Sequence, residues 1–261
     1  MKLAANLSWL YPQMAWDQRF AGARHDGFDA VEMLLPYDHP PTWYADQLRA
    51  HDLTMVLFNT PVGPDGGKMG LAAIPGAQAQ FQSAFDQARA VADATGCRRI
   101  HCMAGNTAGL DSAACRQTLL RNLAHALPLA ERDGLTLTLE PLNRFDAPDY
   151  FYHQPAEVIA ILQQLQSPAL RLQLDYYHCA RESLNLLQTA RDAAPWIGHV
   201  QIAGAPVRNE PDLSSDDWLD AVALLPTIGY DSWLSCEYAP RTTAAEGLHW
   251  CQPLRDRGLL E

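Results

Sequence analysis

The chain has 261 residues, 48% of them apolar, and a formal net charge of -11. That length suits one α/β barrel of about 250 residues better than two small domains. The acidic balance repels a polyanion, so no nucleic-acid partner is expected. Six cysteines (Cys97, Cys102, Cys115, Cys179, Cys236 and Cys251) form no CxxC pair and no zinc-knuckle spacing, as expected of free thiols in a reducing cytoplasm. No apolar run approaches the roughly 20 residues of a membrane helix, so a soluble protein is expected.

From the N-terminus, Leu3 to Leu10 follows Lys2 as the apolar part of a leader would, but Asn6 and Ser8 interrupt it, and the run reads as a first strand near 2–8. Further strands are predicted near 29–34, 53–60, 98–105, 135–141, 170–177, 197–203 and 232–238. Helix-like apolar spacing covers Asp17 to Arg24, Gln78 to Ala94, Asp111 to Glu131, Pro155 to Gln166, Glu182 to Ala193 and Asp216 to Leu225. Eight strand-helix alternations without a composition break predict a parallel sheet closed as a single (β/α)8 TIM barrel over 1–261. Two connections, 59–76 and 141–155, are long and leave the carboxyl ends of strands, where they are expected to act as lids. Gly63, Gly66, Gly67 and Gly70 would supply hinge freedom, and Tyr150, Phe151 and Tyr152 a wall that excludes water.

Four of the predicted strands end in a residue able to bind a metal: Glu140, Asp175, Gln201 and Glu237. Strand side chains alternate between faces, so each ligand's own face can be read from the sequence. Thr136 and Thr138 share a face with Glu140, Arg171 and Gln173 with Asp175, His199 with Gln201, and Ser235 with Glu237. Leu137, Leu139, Leu172, Leu174, Val200, Ile202 and Leu234 occupy the opposite faces. A polar interior inside an apolar outer surface follows. Three hard oxygen donors with one amide suit Mg2+ or Mn2+ better than Zn2+, which stays possible. A lone strand-end carboxylate would more often pair with an arginine or cap the next helix. Four at equivalent positions point to a shared site.

At this constellation the sequence resembles the hydroxypyruvate isomerase family, a branch of the xylose-isomerase-like TIM barrels. The matching stretches are AANLSWL at 4–10, GFDAVEMLLPYD at 27–38, LFNTPVG at 57–63, HCMAG at 101–105, LEPLN at 139–143, LDYYH at 174–178, HVQIAGAPVRNEP at 199–211, CEYAPR at 236–241 and EGLHW at 246–250. HVQIAG followed by RNEP is the specific part, because related ketose epimerases usually carry histidine where Gln201 stands. The resemblance implies one divalent metal held by Glu140, Asp175, Gln201 and Glu237, with Glu140 and Glu237 also moving protons. It implies that His178 and Arg208 contact a small 2-oxo sugar acid, hydroxypyruvate itself or a close relative, converted through an enediolate.

Arg208 is the expected partner of the substrate carboxylate, since a guanidinium can hold it with two parallel hydrogen bonds. Glu32 is expected either to orient His178 or Arg208 beside the substrate or to be an ordinary buried ion-pair member, with Asn6, Phe58 and Lys68 as further substrate contacts. His101 and His199 are expected to be interior hydrogen-bonding residues, and Trp9, Trp233 and Trp250 packing residues. The alternatives are a 2-oxo-tetronate isomerase or ketose 3-epimerase with the same chemistry, a zinc endonuclease of the same superfamily, and a sugar-acid-binding module without turnover. The endonuclease would need more histidines and a basic surface. Association as a homodimer or homotetramer is plausible for barrels of this group.

Overall fold

The computed structural model describes residues 1–63, 69–213 and 216–260. Eight strands run in parallel: β1 (Lys2–Asn6), β2 (Ala30–Met33), β3 (Thr54–Asn59), β4 (Arg99–His101), β5 (Thr136–Leu139), β6 (Leu170–Asp175), β7 (Ile197–Ile202) and β8 (Trp233–Cys236). Each pairs with the next, and β8 pairs with β1 to close the barrel. The apolar side chains assigned to the outer faces, from Leu137 to Leu234, are buried against the helical layer. Each such leucine or valine contributes roughly 1.5–3 kcal/mol by leaving water. Inside, Ala4, Ala30 and Val56 pack with Trp233. Above them the lumen turns polar, and that layer carries the site.

The helices are α1 (Trp16–His25), α2 (Pro41–Ala50), α3 (Gln78–Thr95), α4 (Ser112–Asp133), α5 (Pro155–Leu165), α6 (Tyr176–Arg181), α7 (Leu186–Ala193), α8 (Asp216–Thr227), α9 (Ala244–Gly247) and α10 (Gln252–Asp256). None of the described helices is long and apolar enough to cross a membrane. Two local rules explain where the sequence reading departs from this order. Pro40 and Pro41 look like breakers, yet proline at the first helical position is favourable, and α2 begins there. The expected helix from Glu182 to Ala193 is broken at Ser183, whose φ is +57°, and α7 restarts under an Asn185 cap. Strand β6 stops at Asp175 because that carboxylate accepts the Tyr177 backbone N–H and starts α6.

The connection after β3 is fastened to the connection after β4. Ala72 N donates to Met103 O at 3.2 Å and Ala73 N to Ala104 O at 2.7 Å. Gly70 bridges Ala104 with φ at +111°, and a Cβ there would lie 2.3 Å from Met103 O. Gly70 therefore serves close approach of two backbones, not the expected hinge. Gly70→Ala is expected to cost about 2–3 kcal/mol of stability, read as a lower denaturation midpoint. An unchanged midpoint would contradict this packing. Gly66, Gly67 and Lys68 lie outside the described residues.

Candidate active site

Glu140 follows β5, Glu237 follows β8, Asp175 ends β6, and Gln201 lies near the end of β7, so all four reach the same end of the barrel. All four are buried. Beneath them runs a chain of hydrogen bonds built from the polar lumen faces. Thr138 Oγ1 donates to Gln173 Oε1 at 2.8 Å, and Gln173 Nε2 donates to Glu140 Oε2 at 3.0 Å and to Gln201 Oε1 at 2.7 Å. Gln201 Nε2 donates to Glu32 Oε1 at 2.9 Å and makes a short contact with Glu237 Oε2. The amide of Gln201 thus ties two carboxylates together, while its Oε1 keeps a second lone pair beyond the one Gln173 uses.

Two buried carboxylate oxygens, Glu140 Oε1 and Asp175 Oδ2, lack a hydrogen-bond partner. His178 Nε2 stands 3.6 Å from each. Glu140, Asp175 and His178 offer ligand atoms within 4.8 Å of one another, a buried cluster able to hold a metal ion. Orphaned anionic oxygens in a dry site are costly, and a divalent cation is the natural complement. His178 is better suited to donate than to ligate. Its Nδ1 accepts the Asn143 backbone N–H at 3.0 Å, so the neutral ring carries its hydrogen on Nε2, facing the two acids. Burial, then the charge of Arg208, push His178 well below the usual histidine range, which keeps it neutral.

The acids respond to the same dry, negative surroundings. Burial, followed by the charges of Glu237 and Asp175, raises Glu140 well above the ordinary carboxylate range. Burial pushes Asp175 up to about 6 and Glu237 up to about 8, in both cases against the pull of Arg208. Arg208 is the local counter-charge: its Nη2 lies 2.7 Å from Glu237 Oε1 and 3.5 Å from Asp175 Oδ2. Its guanidinium sits between the rings of Trp9, at 4.5 Å, and Tyr177, at 4.7 Å. Arg208 also adopts φ of +54°, a left-handed conformation uncommon for a side chain of this size. The loop holds it there through Gly204 N donating to Asn209 O at 2.7 Å and Ala239 N donating to Arg208 O at 3.0 Å.

A cavity of about 160 Å³ adjoins these groups; Trp9, Asn59, Met103, Leu142, Asp146 and Arg208 are among its lining residues. A larger depression beside Asp86, Arg89 and Asp133 lies at the opposite end of the barrel, away from the acids. Several expectations need correction. Glu32 touches neither His178 nor Arg208 and pairs with His199, which is the buried-pair alternative. It accepts from Asn6 Nδ2, Gln201 Nε2 and His199 Nε2, and these partners overcome burial to hold it below its usual range. Asn6 and Glu32 therefore brace the site from below and do not line the cavity. Phe58 is fully buried and pairs in register with Met33 and Ile100, on the face turned to the helices. Its neighbour Asn59 faces the lumen and meets His101 Nδ1 at 3.2 Å. Tyr150 and Tyr152 belong to the core, Tyr150 OH accepting from Ala104 N, so Leu142, Asp146 and Ala147 supply the wall from that loop.

Trp9 was expected only to pack, yet it both lines the cavity and stacks on Arg208. The expectation holds for Trp233 and Trp250, and for His101 and His199 as interior hydrogen-bonding residues. Sequence reasoning missed Asn143, which sets the His178 tautomer, and Asp146, which accepts from Tyr177 OH at 2.6 Å and from Asn143 Nδ2 at 3.0 Å. The signal was present in LEPLNRFD, where both polar residues directly follow the strand bearing Glu140.

Similarity to known proteins follows the same lines. The 2-oxo-tetronate isomerase of Cupriavidus necator is 40% identical over 98% of this chain and 99% of its own. The hydroxypyruvate isomerase of Escherichia coli (strain K12) is 32% identical over 98% of this chain and 100% of its own. A crystal structure described as AP endonuclease, family 2, from Brucella melitensis matches with a TM-score of 0.92 at 36% identity, covering 97% of this chain and 98% of that one. A profile described as xylose isomerase-like TIM barrel matches residues 20–254. The closed barrel, the acids gathered at one end of it and full-length relatives of this kind agree: the chain belongs to the xylose isomerase-like TIM barrel family.

Proposed function

We propose that this protein is a divalent-metal-dependent isomerase of a short 2-oxo acid, interconverting hydroxypyruvate and tartronate semialdehyde. The observation that carries the reading is the pair of orphaned oxygens, Glu140 Oε1 and Asp175 Oδ2, buried beside the Arg208 guanidinium. The four-carbon reaction of a 2-oxo-tetronate is a second reading, favoured by the Cupriavidus necator relative. The chemistry is the same in both: one proton moves between neighbouring carbons.

Glu140, Asp175, Gln201 and Glu237 are the proposed ligands, with Mg2+ or Mn2+ preferred for their oxygen donors. A bound divalent cation supplies Lewis acidity that makes the C–H beside a carbonyl easier to ionise. Glu140 and Glu237 are the proton carriers; in the metal-free site burial raises Glu140 well above its usual range and Glu237 to about 8. His178 Nε2–H donates to a substrate oxygen as enediolate charge develops, and Arg208 pairs with the substrate carboxylate. Trp9 and Tyr177 hold the guanidinium flat and keep water from its faces. An endonuclease role fits less well: the described residues hold one metal-competent cluster, and the chain carries a charge of -11. Conversion of each acid is measured with Mg2+, with Mn2+ and after chelation. Metal-dependent conversion of either is expected, and conversion of neither under any condition would overturn the reading.

The raised acids also set a pH dependence. Asp175 moves from 3.8 to about 6 and Glu237 from 4.5 to about 8, so the metal-free native state holds protons that the unfolded chain has released. Their contribution to stability is present in acid and is lost as pH rises from about 4 to about 8. A cation replaces those protons, so its stabilisation should grow over the same window. Saturating Mn2+ is expected to raise the melting temperature by about 5–10 °C at pH 8 and much less at pH 5. An equal rise at both pH values, measured by calorimetry against a chelated control, would count against carboxylate ligation.

A further inference from the structure

The cavity wall has charged and uncharged members. Glu140, His178, Arg208 and Glu237 form the reactive side. Among the described residues, Leu34, Met69, Met103, Leu142 and Ala147 line it too, and they offer no polar side-chain group beyond thioether sulfur. Of the other polar lining residues, Asn59 Oδ1 faces His101 Nδ1 and Asp146 Oδ2 accepts from both Tyr177 and Asn143, while His101 Nε2 and Trp9 Nε1 have no hydrogen-bond partner. A hydroxyl pushed against Leu34, Met69, Met103, Leu142 or Ala147 would lose water and gain no strong side-chain partner from them.

Met103 is anchored through its backbone on both sides. Its backbone N–H donates to Thr60 Oγ1 at 3.1 Å, its carbonyl accepts from Ala72, and the next residue, Ala104, donates to Tyr150 OH at 2.9 Å. Gly70 packs directly on its carbonyl. The Met103 backbone therefore cannot retreat without breaking several hydrogen bonds. The cavity volume, about 160 Å³, is close to the roughly 150 Å³ that accommodates a benzene-sized guest. A three- or four-carbon acid is of that size, and a six-carbon ketose is well above it.

We propose that Met103, supported by Met69 and Leu142, is the chain-length stop of this site, accepting 2-oxo acids of three or four carbons and rejecting those of five or more. The inference rests on the proposed function for the orientation of the acid, carboxylate toward Arg208 and tail toward Met103. Replacing Met103 by alanine removes the end of the stop while leaving every charged group in place. Leucine, similar in volume, should preserve it.

The test uses equilibrium titration of Mn2+-loaded protein with 2-hydroxy acids of three to six carbons, which carry the carboxylate and a chelating hydroxyl but no carbonyl to react. Wild type and M103L should bind the five-carbon acid at least about tenfold more weakly than the four-carbon acid, the scale on which a tight pocket resolves one carbon. M103A should bring the two within about threefold. Equal affinity for all lengths, a parallel shift of all lengths in M103A, or no binding of any acid overturns the proposal. Turnover of the matching 2-oxo acids is followed separately. Length-limited binding without turnover would keep the stop and remove the isomerase assignment.

Discussion

Glu140→Gln should lower kcat by about 10³-fold or more, with the fold intact by circular dichroism. The substitution keeps the size of the side chain but removes a buried carboxylate whose Oε1 has no hydrogen-bond partner. Glu237 differs, because Arg208 holds one of its oxygens and Gln201 contacts the other. Glu237→Gln should be equally damaging to turnover if both residues carry protons. General acid-base groups contribute about 10²–10⁴-fold, and loss of a metal ligand adds to that. Steady-state rates with metal affinity measured alongside separate the two effects. A loss below tenfold in Glu140→Gln would remove Glu140 from proton transfer.

The second large effect is expected at Arg208. Arg208→Ala should lower kcat/KM for 2-oxo acids by about 10²–10³-fold while changing that for an uncharged ketose analogue less than tenfold. Truncating one member of a buried charge pair costs about 2–5 kcal/mol, and here the substrate carboxylate is the partner left unpaired. Arg208→Lys should fall between, since an ammonium keeps the charge but loses the planar fork and the stacking on Trp9 and Tyr177. Equal losses on charged and uncharged substrates would show that Arg208 acts only through Glu237 and Asp175.

The barrel was legible because the period-two alternation around Glu140, Asp175, Gln201 and Glu237 reports both faces of each strand at once. The apolar partners did pack outward and the polar ones inward, where Thr138, Gln173 and His199 form the support beneath the acids. What alternation cannot carry is register between distant strands. Glu32 was sought beside His178 or Arg208, and only the closed barrel brings it to Gln201 and His199, far along the chain. Phe58 was misplaced for a smaller reason. The register shifts near the middle of the β2–β3 pairing, so Asn59, one residue on, takes the inward position. Loop residues were the least legible. Trp9, Asn143 and Asp146 owe their roles to partners on other elements, and no local pattern marks a tryptophan that stacks on an arginine.

The most direct test of the metal-and-carboxylate reading is exchange of solvent deuterium into the carbon-bound hydrogens of hydroxypyruvate, followed by NMR. With Mg2+ or Mn2+ present, label should enter at a rate at least comparable to isomerisation, cease on chelation, and be absent in Glu140→Gln. Exchange that persists after chelation, or isomerisation without any incorporation of label, would contradict proton transfer by these acids at a metal site.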